Sequence, residues 1–152
     1  MPNRAVRIVA LACLGLLAAT ACSDDRLSKE EFIEQADAVC ATVNERTEEL
    51  GEPTTQESFP EFARKAKEIT DEALEDMRAL EPPEEDEERI DEMLDAIEKA
   101  ASFLPEIADA VAENDPERMR DIGLEVQSAA QKASTIAEEY GFEECGRSSL
   151  GS

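Results

Sequence analysis

The chain has 152 residues, 35% of them charged and 41% hydrophobic, with a formal net charge of −23 and no histidine or tryptophan. That length suits one domain, and with aromatics at 4% its core must come from Leu, Ile, Val, Met and Ala, which favours helices over sheets. The acid excess argues against nucleic acid, whose phosphates need clustered Lys and Arg, and the lack of histidine removes the commonest general base, the usual zinc and haem ligand and every Ser-His or Cys-His pair.

Arg4 and Arg7 form a basic start, Ile8 to Ala19 is apolar, and Ala19-Thr20-Ala21 supplies small residues directly before Cys22. This is the charged, apolar and small-residue order of an export signal. A transmembrane helix is the competing reading, but the stretch from Ile8 to Cys22 is shorter than the roughly 20 apolar residues a span needs. Leu17-Ala18-Ala19-Thr20-Ala21-Cys22 resembles the lipobox of bacterial lipoproteins, in which the cysteine receives a diacylglyceryl thioether. Position −3 is Ala19, where that family usually has Leu, and the same Ala19-x-Ala21 would also serve an ordinary signal peptidase. Parity separates the two outcomes. Cys13 leaves with the signal, so lipidation of Cys22 leaves Cys40 and Cys145 as a pair, whereas ordinary cleavage leaves an orphan thiol in an oxidising compartment.

Removing residues 1–21 takes away two basic residues and no acid, so the mature chain carries −25. Ser28 and Glu31 form a capping box, with Leu27 and Phe32 at the staple positions. Phe32, Ala36, Val39, Cys40, Val43 and Leu50 then recur at helical spacing, and Gly51 and Pro53 end the helix. A second helix starts at Ser58-x-x-Glu61, with Pro60 tolerated in its first turn. Its stripe is Phe62, Ala66, Ile69, Ala73, Met77 and Leu80, and Pro82-Pro83 stops it. The third carries Ile90, Met93, Leu94, Ile97, Ala101, Leu104, Ile107 and Val111. Pro105 predicts a kink near Ala101 and not a break, because the apolar period runs through it. Asp115 caps a fourth helix with Pro116 at its first position. Met119, Ile122, Val126, Ala130, Ala133, Ile136 and Tyr140 line it, Gly141 closes it in the left-handed conformation, and Phe142 folds back on the last turn.

Four such helices of about 33 to 44 Å, joined by short connections, predict an all-α, antiparallel up-down-up-down four-helix bundle. A coiled-coil rod fits worse, since three Pro-marked breaks cut the pattern into matching lengths. The many Ala positions bury little apolar area each, so a staple would help. Cys40 on the inner face of the first helix and Cys145 just after the fourth can supply it, closing a loop of about 100 residues worth roughly 4 to 5 kcal/mol by chain entropy. Two unpaired buried thiols are the alternative.

Chemistry is harder to find. Without histidine there is no Ser-His-Asp triad, no Glu-x-x-His di-iron pair and no haem-attachment motif. No Gly-rich phosphate loop or Asp-rich calcium loop is present either. The sequence therefore nominates no catalytic residue, no metal ligand and no cofactor, and argues against an enzyme. The acidic run Glu81, Glu84, Glu85, Asp86, Glu87, Glu88, Asp91 and Glu92 reads first as a solvated helix start favoured by the helix dipole. Its sharper reading is a weak site for a divalent cation or a basic partner, though a tight site needs a loop that wraps the ion. Pro105 with Phe103 and Leu104 is the one irregularity that could open a pocket between helices.

Phe32-Ile33-x-x-Ala36-Asp37-Ala38-Val39-Cys40 with Asn44, and Glu139-Tyr140-Gly141-Phe142-x-x-Cys145-Gly146, resemble the ends of a family of small actinobacterial lipoproteins and secreted helical proteins. The motifs cover about a fifth of the chain, and Leu80-Pro82-Pro83 matches the family's middle loosely. The resemblance implies an exported, disulfide-stapled helical protein and no assigned activity.

The expected organisation is a lipoprotein signal peptide at 1–21, a lipidated Cys22 with a short tether at 22–28, a four-helix bundle at 29–145 and a flexible tail at 146–152. The expected role is a non-enzymatic interaction module of the cell envelope, lipid-anchored on the extracytoplasmic face of the membrane. Its expected partners are the membrane and a basic envelope protein or divalent cation, with no nucleic acid. The alternative is a small-molecule or lipid-binding bundle that assists a transporter.

Overall fold

The computed structural model describes residues 26–146, so the expected signal at 1–21, the lipidation site Cys22 and the tail beyond Gly146 lie outside the described residues. All regular structure within them is helical: α1 Lys29–Leu50, α2 Phe59–Ala79, α3 Glu87–Ser102, α4 Leu104–Glu113 and α5 Pro116–Tyr140. Short 3-10 turns at Gln56–Ser58 and Glu84–Asp86 precede α2 and α3. None of these helices is long and apolar enough to cross a membrane.

The helix ends follow local chemistry. In the α1 capping box the Glu31 amide donates to Ser28 Oγ at 3.3 Å and the Ser28 amide to Glu31 Oε2 at 3.0 Å. Both orphan donors are thereby satisfied. Being hydrogen-bonded to the Ser28 side chain first and its backbone second holds the Glu31 carboxyl below its ordinary value. At the α5 start the Arg118 amide donates to Asp115 Oδ1 at 3.0 Å. Gly141 ends α5 at φ +107°, and the amides of Gly141 and Phe142 both reach the Ala137 carbonyl at 3.1 Å. A Cβ at Gly141 would find ordinary room, 3.7 Å from Ile33 Cδ1. The backbone angle is therefore what demands glycine.

Two local expectations need correction. Ser58 does not cap α2 through its side chain; it pairs reciprocally with Thr55, whose hydroxyl accepts from the Ser58 amide at 3.2 Å. A 3-10 turn thus takes the cap one turn earlier than the Ser58-x-x-Glu61 pattern suggested. The third predicted helix is also interrupted, not merely kinked: α3 stops at Ser102 and α4 starts at Leu104. Pro105 has no N–H to offer the Ala101 carbonyl, so the ladder breaks. Phe103 keeps right-handed angles (φ −82°, ψ −12°), so the chain continues in nearly the same direction of winding. Asn114 at φ +54° then closes α4 in the left-handed region that Asn tolerates.

One apolar cluster joins all the long helices: Phe32 and Ala36 of α1, Leu74 and Met77 of α2, Ile90, Met93, Leu94 and Ala96 of α3, and Ala133, Ile136, Ala137 and Tyr140 of α5, with Phe142 beyond it. Met119, expected on the inner face of α5, is 41% exposed. It sits in the first turn of α5, where the described neighbours no longer cover that side. Ala63, Leu74, Ala96, Ala108, Ala110, Ala129 and Ala137 are buried although the sequence stripes omitted them. Exposed ion pairs mark which faces meet. Arg46 of α1 reaches Glu72 of α2, Arg78 of α2 reaches Glu98 of α3 at 2.6 Å, and Lys132 and Glu125 of α5 reach Glu92 and Lys99 of α3 at 2.8 and 3.1 Å. Pairs this exposed are worth at most about 1 kcal/mol each, so the cluster and not the charges holds the helices.

Candidate functional site

The chemistry-bearing residues gather where α1 begins, α2 passes into α3, and α5 ends. The chain enters this end already fixed. The Leu27 amide donates to the Glu81 carbonyl at 2.9 Å, Arg26 Nη1 to the Pro82 carbonyl at 3.1 Å, and Arg26 Nη2 meets Glu87 Oε2 at 2.8 Å. Pro82 is buried, and its carbonyl takes the Arg26 guanidinium as donor. The tether expected at 22–28 is therefore bound to the bundle from Arg26 onward.

Phe32 is completely buried and meets the Tyr140 ring edge-on at 6.1 Å and the Phe142 ring at 6.0 Å. Such edge contacts add to simple area burial. Lys29 Nζ lies 4.2 Å from the Tyr140 ring centre, and the Tyr140 hydroxyl donates to Asp86 Oδ2 at 2.9 Å. Burial foremost, then the Asp86 hydrogen bond and the charges of Asp86, Glu85 and Glu30, push the Tyr140 phenol well above its ordinary value near 10. The sign follows from the raised folded value: the phenol is neutral in both states below about pH 10, so its contribution is intact there. It is lost as pH rises from about 10 towards the folded value. Because this is the only tyrosine and the chain has no tryptophan, ultraviolet titration reads it alone. The folded protein should ionise at higher pH than the urea-unfolded chain; coincident curves would show that Asp86 and burial do not act on Tyr140.

Beyond Gly141 the chain turns back along α1. Asp37 receives three backbone amides, those of Glu143 and Glu144 at 2.9 Å and of Cys145 at 3.1 Å. This carboxylate clamp sets Cys145 beside Cys40, with sulfurs 2.08 Å apart, at disulfide distance, and Cα atoms 5.1 Å apart. Both cysteines are half-buried, so Cys40 is less enclosed than its stripe suggested. Asp37 lies three residues before Cys40, hence on the same side of α1. That spacing was the available signal for it; nothing local announced the docking of Arg26.

The acidic run is spread over this end and not gathered. Asp86 is engaged by Tyr140, Glu87 by Arg26 and Glu92 by Lys132, while Glu84, Glu85, Glu88 and Asp91 are exposed. Among the described residues no three His, Cys, Asp or Glu side chains come together to hold a metal ion. Away from this end, an open groove of about 500 Å³ runs between α2 and α4, with Pro60 and Ala63 facing Pro105 and Ala108. Its rim carries Arg64 and Lys67, each already paired along α2 with Glu68 and Asp71. Pro105 does border a groove, but Phe103 and Leu104 do not line it. The chain matches no protein-family model, no curated protein and no solved structure.

Proposed function

We propose that this chain is a membrane-anchored lipoprotein of the extracytoplasmic face, of the actinobacterial kind its two cysteine segments resemble, acting as a non-enzymatic interaction module. The observation that carries the reading is the placement of Cys40 and Cys145 at disulfide distance. It accounts for two of the three cysteines left after export and leaves Cys22, behind its basic and apolar leader, as the one to lipidate. Two acyl chains, at about 0.8 kcal/mol per buried CH₂, hold firmly where one would not.

The helices are proposed to run antiparallel, up-down-up-down, with α3 and α4 together forming the third rod. In support, partners along α3 and α5 go in opposite order: Arg89 with Glu139, Glu92 with Lys132, Lys99 with Glu125. Leu27 beside Glu81 and Arg46 beside Glu72 do the same for α1 and α2. With Arg26 docked, only four peptide steps separate it from Cys22, a reach of at most about 14 Å. The acidic end of the bundle then stands next to the membrane. A mature charge of −25 is repelled by anionic lipid, so the exposed Glu84, Glu85, Glu88 and Asp91 face a basic envelope protein in preference to the bilayer. The scattering of those carboxylates favours a basic partner over a divalent cation.

The test is Cys22→Ser in the host, with fractionation and intact mass. The native protein should carry a diacylglyceryl mass and stay with membranes, while the variant leaves them. Equal release of both forms, or no lipid mass, would make this a freely secreted protein. The groove between α2 and α4 keeps one second reading, a lipid- or small-molecule-binding bundle assisting a transporter. Co-purified lipid in native mass spectrometry would favour that reading; a salt-sensitive complex with a basic protein would favour the first.

A further inference from the structure

Three successive backbone amides, those of Glu143, Glu144 and Cys145, donate to the single carboxylate of Asp37 at 2.9, 2.9 and 3.1 Å. Successive amides that converge on one anion form a seat for it, and bonds to a charged acceptor are stronger than neutral ones. Just before them Phe142 is buried against Phe32 and Tyr140. The returning tail is thus fixed from 142 to 145 by contacts that involve no sulfur. Cys145 Sγ also lies 3.5 Å from the Ala36 carbonyl, an acceptor for its S–H when the bond is open. What holds Cys145 beside Cys40 is therefore in place before the two sulfurs are joined. Both cysteines are half-buried and not sealed in the core, which leaves them open to a small external disulfide.

We propose that Asp37 is a positioning residue for disulfide formation: it docks the tail of the reduced chain, presents Cys145 to Cys40, and so keeps Cys145 away from Cys22. A chain cut after Ala21 carries these three thiols, and the anchors of the competing two are neighbours. Arg26 is bound to Glu87 and Tyr140 to Asp86. Cys22 lies four peptide steps from Arg26 and Cys145 five from Tyr140, reaches of at most about 14 and 18 Å. A loose tail therefore sweeps the space open to Cys22, whereas a clamped one raises the effective concentration of Cys145 at Cys40. In the closing step one cysteine thiolate attacks an external disulfide, breaking its S–S bond and expelling one thiolate. The other cysteine thiolate then attacks the protein sulfur of that mixed disulfide, forms Cys40–Cys145 and expels the second. The two cysteine protons end on the two expelled thiols, and the two electrons lost by the chain reduce the external disulfide. A thioether needs a free Cys22 thiol, so the consequence for Cys22 rests on the lipoprotein reading. The effect of Asp37 on closure does not.

The mature chain carrying Cys22→Ser, reduced and then equilibrated with reduced and oxidised glutathione, tests closure. Asp37→Asn and Asp37→Ala should each lower the ratio of closed to open chain about tenfold or more, the least that losing a hydrogen bond to a charged group costs. A loss of global stability leaves this ratio alone while the helices stay folded, which circular dichroism checks for each variant. An unchanged ratio in the folded variants would make Asp37 a bystander and overturn the proposal. A parent that stays open in oxidised glutathione would remove the pairing of Cys40 with Cys145 and the proposal with it, while the lipid on Cys22 is still read separately by intact mass. The chain that keeps Cys22 tests the sorting, by non-reducing peptide mapping after oxidation of the fully reduced protein. The parent should yield Cys40–Cys145 with Cys22 free, and Asp37→Asn should join part of Cys22 to Cys145. A Cys22 as free in the Asp37→Asn variant as in the parent would overturn the sorting role.

Discussion

Replacing both Cys40 and Cys145 by serine should cost about 4 to 5 kcal/mol of stability and lower the melting temperature by about 15 °C. The bond spans 105 residues, and closing so long a loop removes much of the freedom of the unfolded chain. Its native geometry is held independently. Asp37 clamps the amides of residues 143–145, and Phe142 is buried against Phe32 and Tyr140. The loss should thus appear mainly through the unfolded state, with the folded spectrum of the serine variant close to the parent's. Thermal melts by circular dichroism, with non-reducing peptide mapping of the exported protein, would read both halves. Two titratable thiols per exported chain, or a melt shifted by only a degree or two, would remove the staple from the account.

Phe32→Ala should be as damaging by a different route. Deleting a large buried aromatic costs about 3 to 5 kcal/mol through lost transfer energy and the cavity left behind. Phe32 is fully buried at the meeting point of α1, α5 and the returning tail, touching both Tyr140 and Phe142. Domains have only about 5 to 15 kcal/mol in hand, so the variant should sit near the edge of unfolding at growth temperature. Urea midpoints should fall far more for Phe32→Ala than for Phe59→Ala, since Phe59 is only half-buried at the start of α2. Equal losses at the two positions would mean that the aromatic cluster is not where the stability resides.

Both effects concentrate at one end of the molecule, and that end was the more legible in sequence. The Ser28–Glu31 box, Gly141 with Phe142, and the Pro82-Pro83 stop are local signals, written in a few adjacent residues. They set helix ends whatever the rest of the chain does. That Cys145 comes to disulfide distance of Cys40 was also within reach, because parity and the placement of the fourth helix's end constrain it. Other local signals are ambiguous. Thr55 and Ser58 can each cap a helix, and the competition was decided by a 3-10 turn. Pro105 can bend a helix or interrupt it, and here α3 stops at Ser102 and α4 starts afresh at Leu104.

Composition and periodicity by themselves determined an acidic, histidine-free, helical chain with its helix ends and its two distant cysteines. Only the tertiary structure decided which alanines face inward, how Asp37 clamps the tail, and how Arg26 ties the tether to the α2–α3 connection. The physical reason is the same for each. An alanine contributes so little to a hydrophobic stripe that Ala96, Ala108, Ala129 and Ala137 can fall on either side of it. Asp37 and Arg26 act on partners 106 and 56 residues away. Such contacts exist only once the apolar cluster around Phe32 has brought the helix ends together.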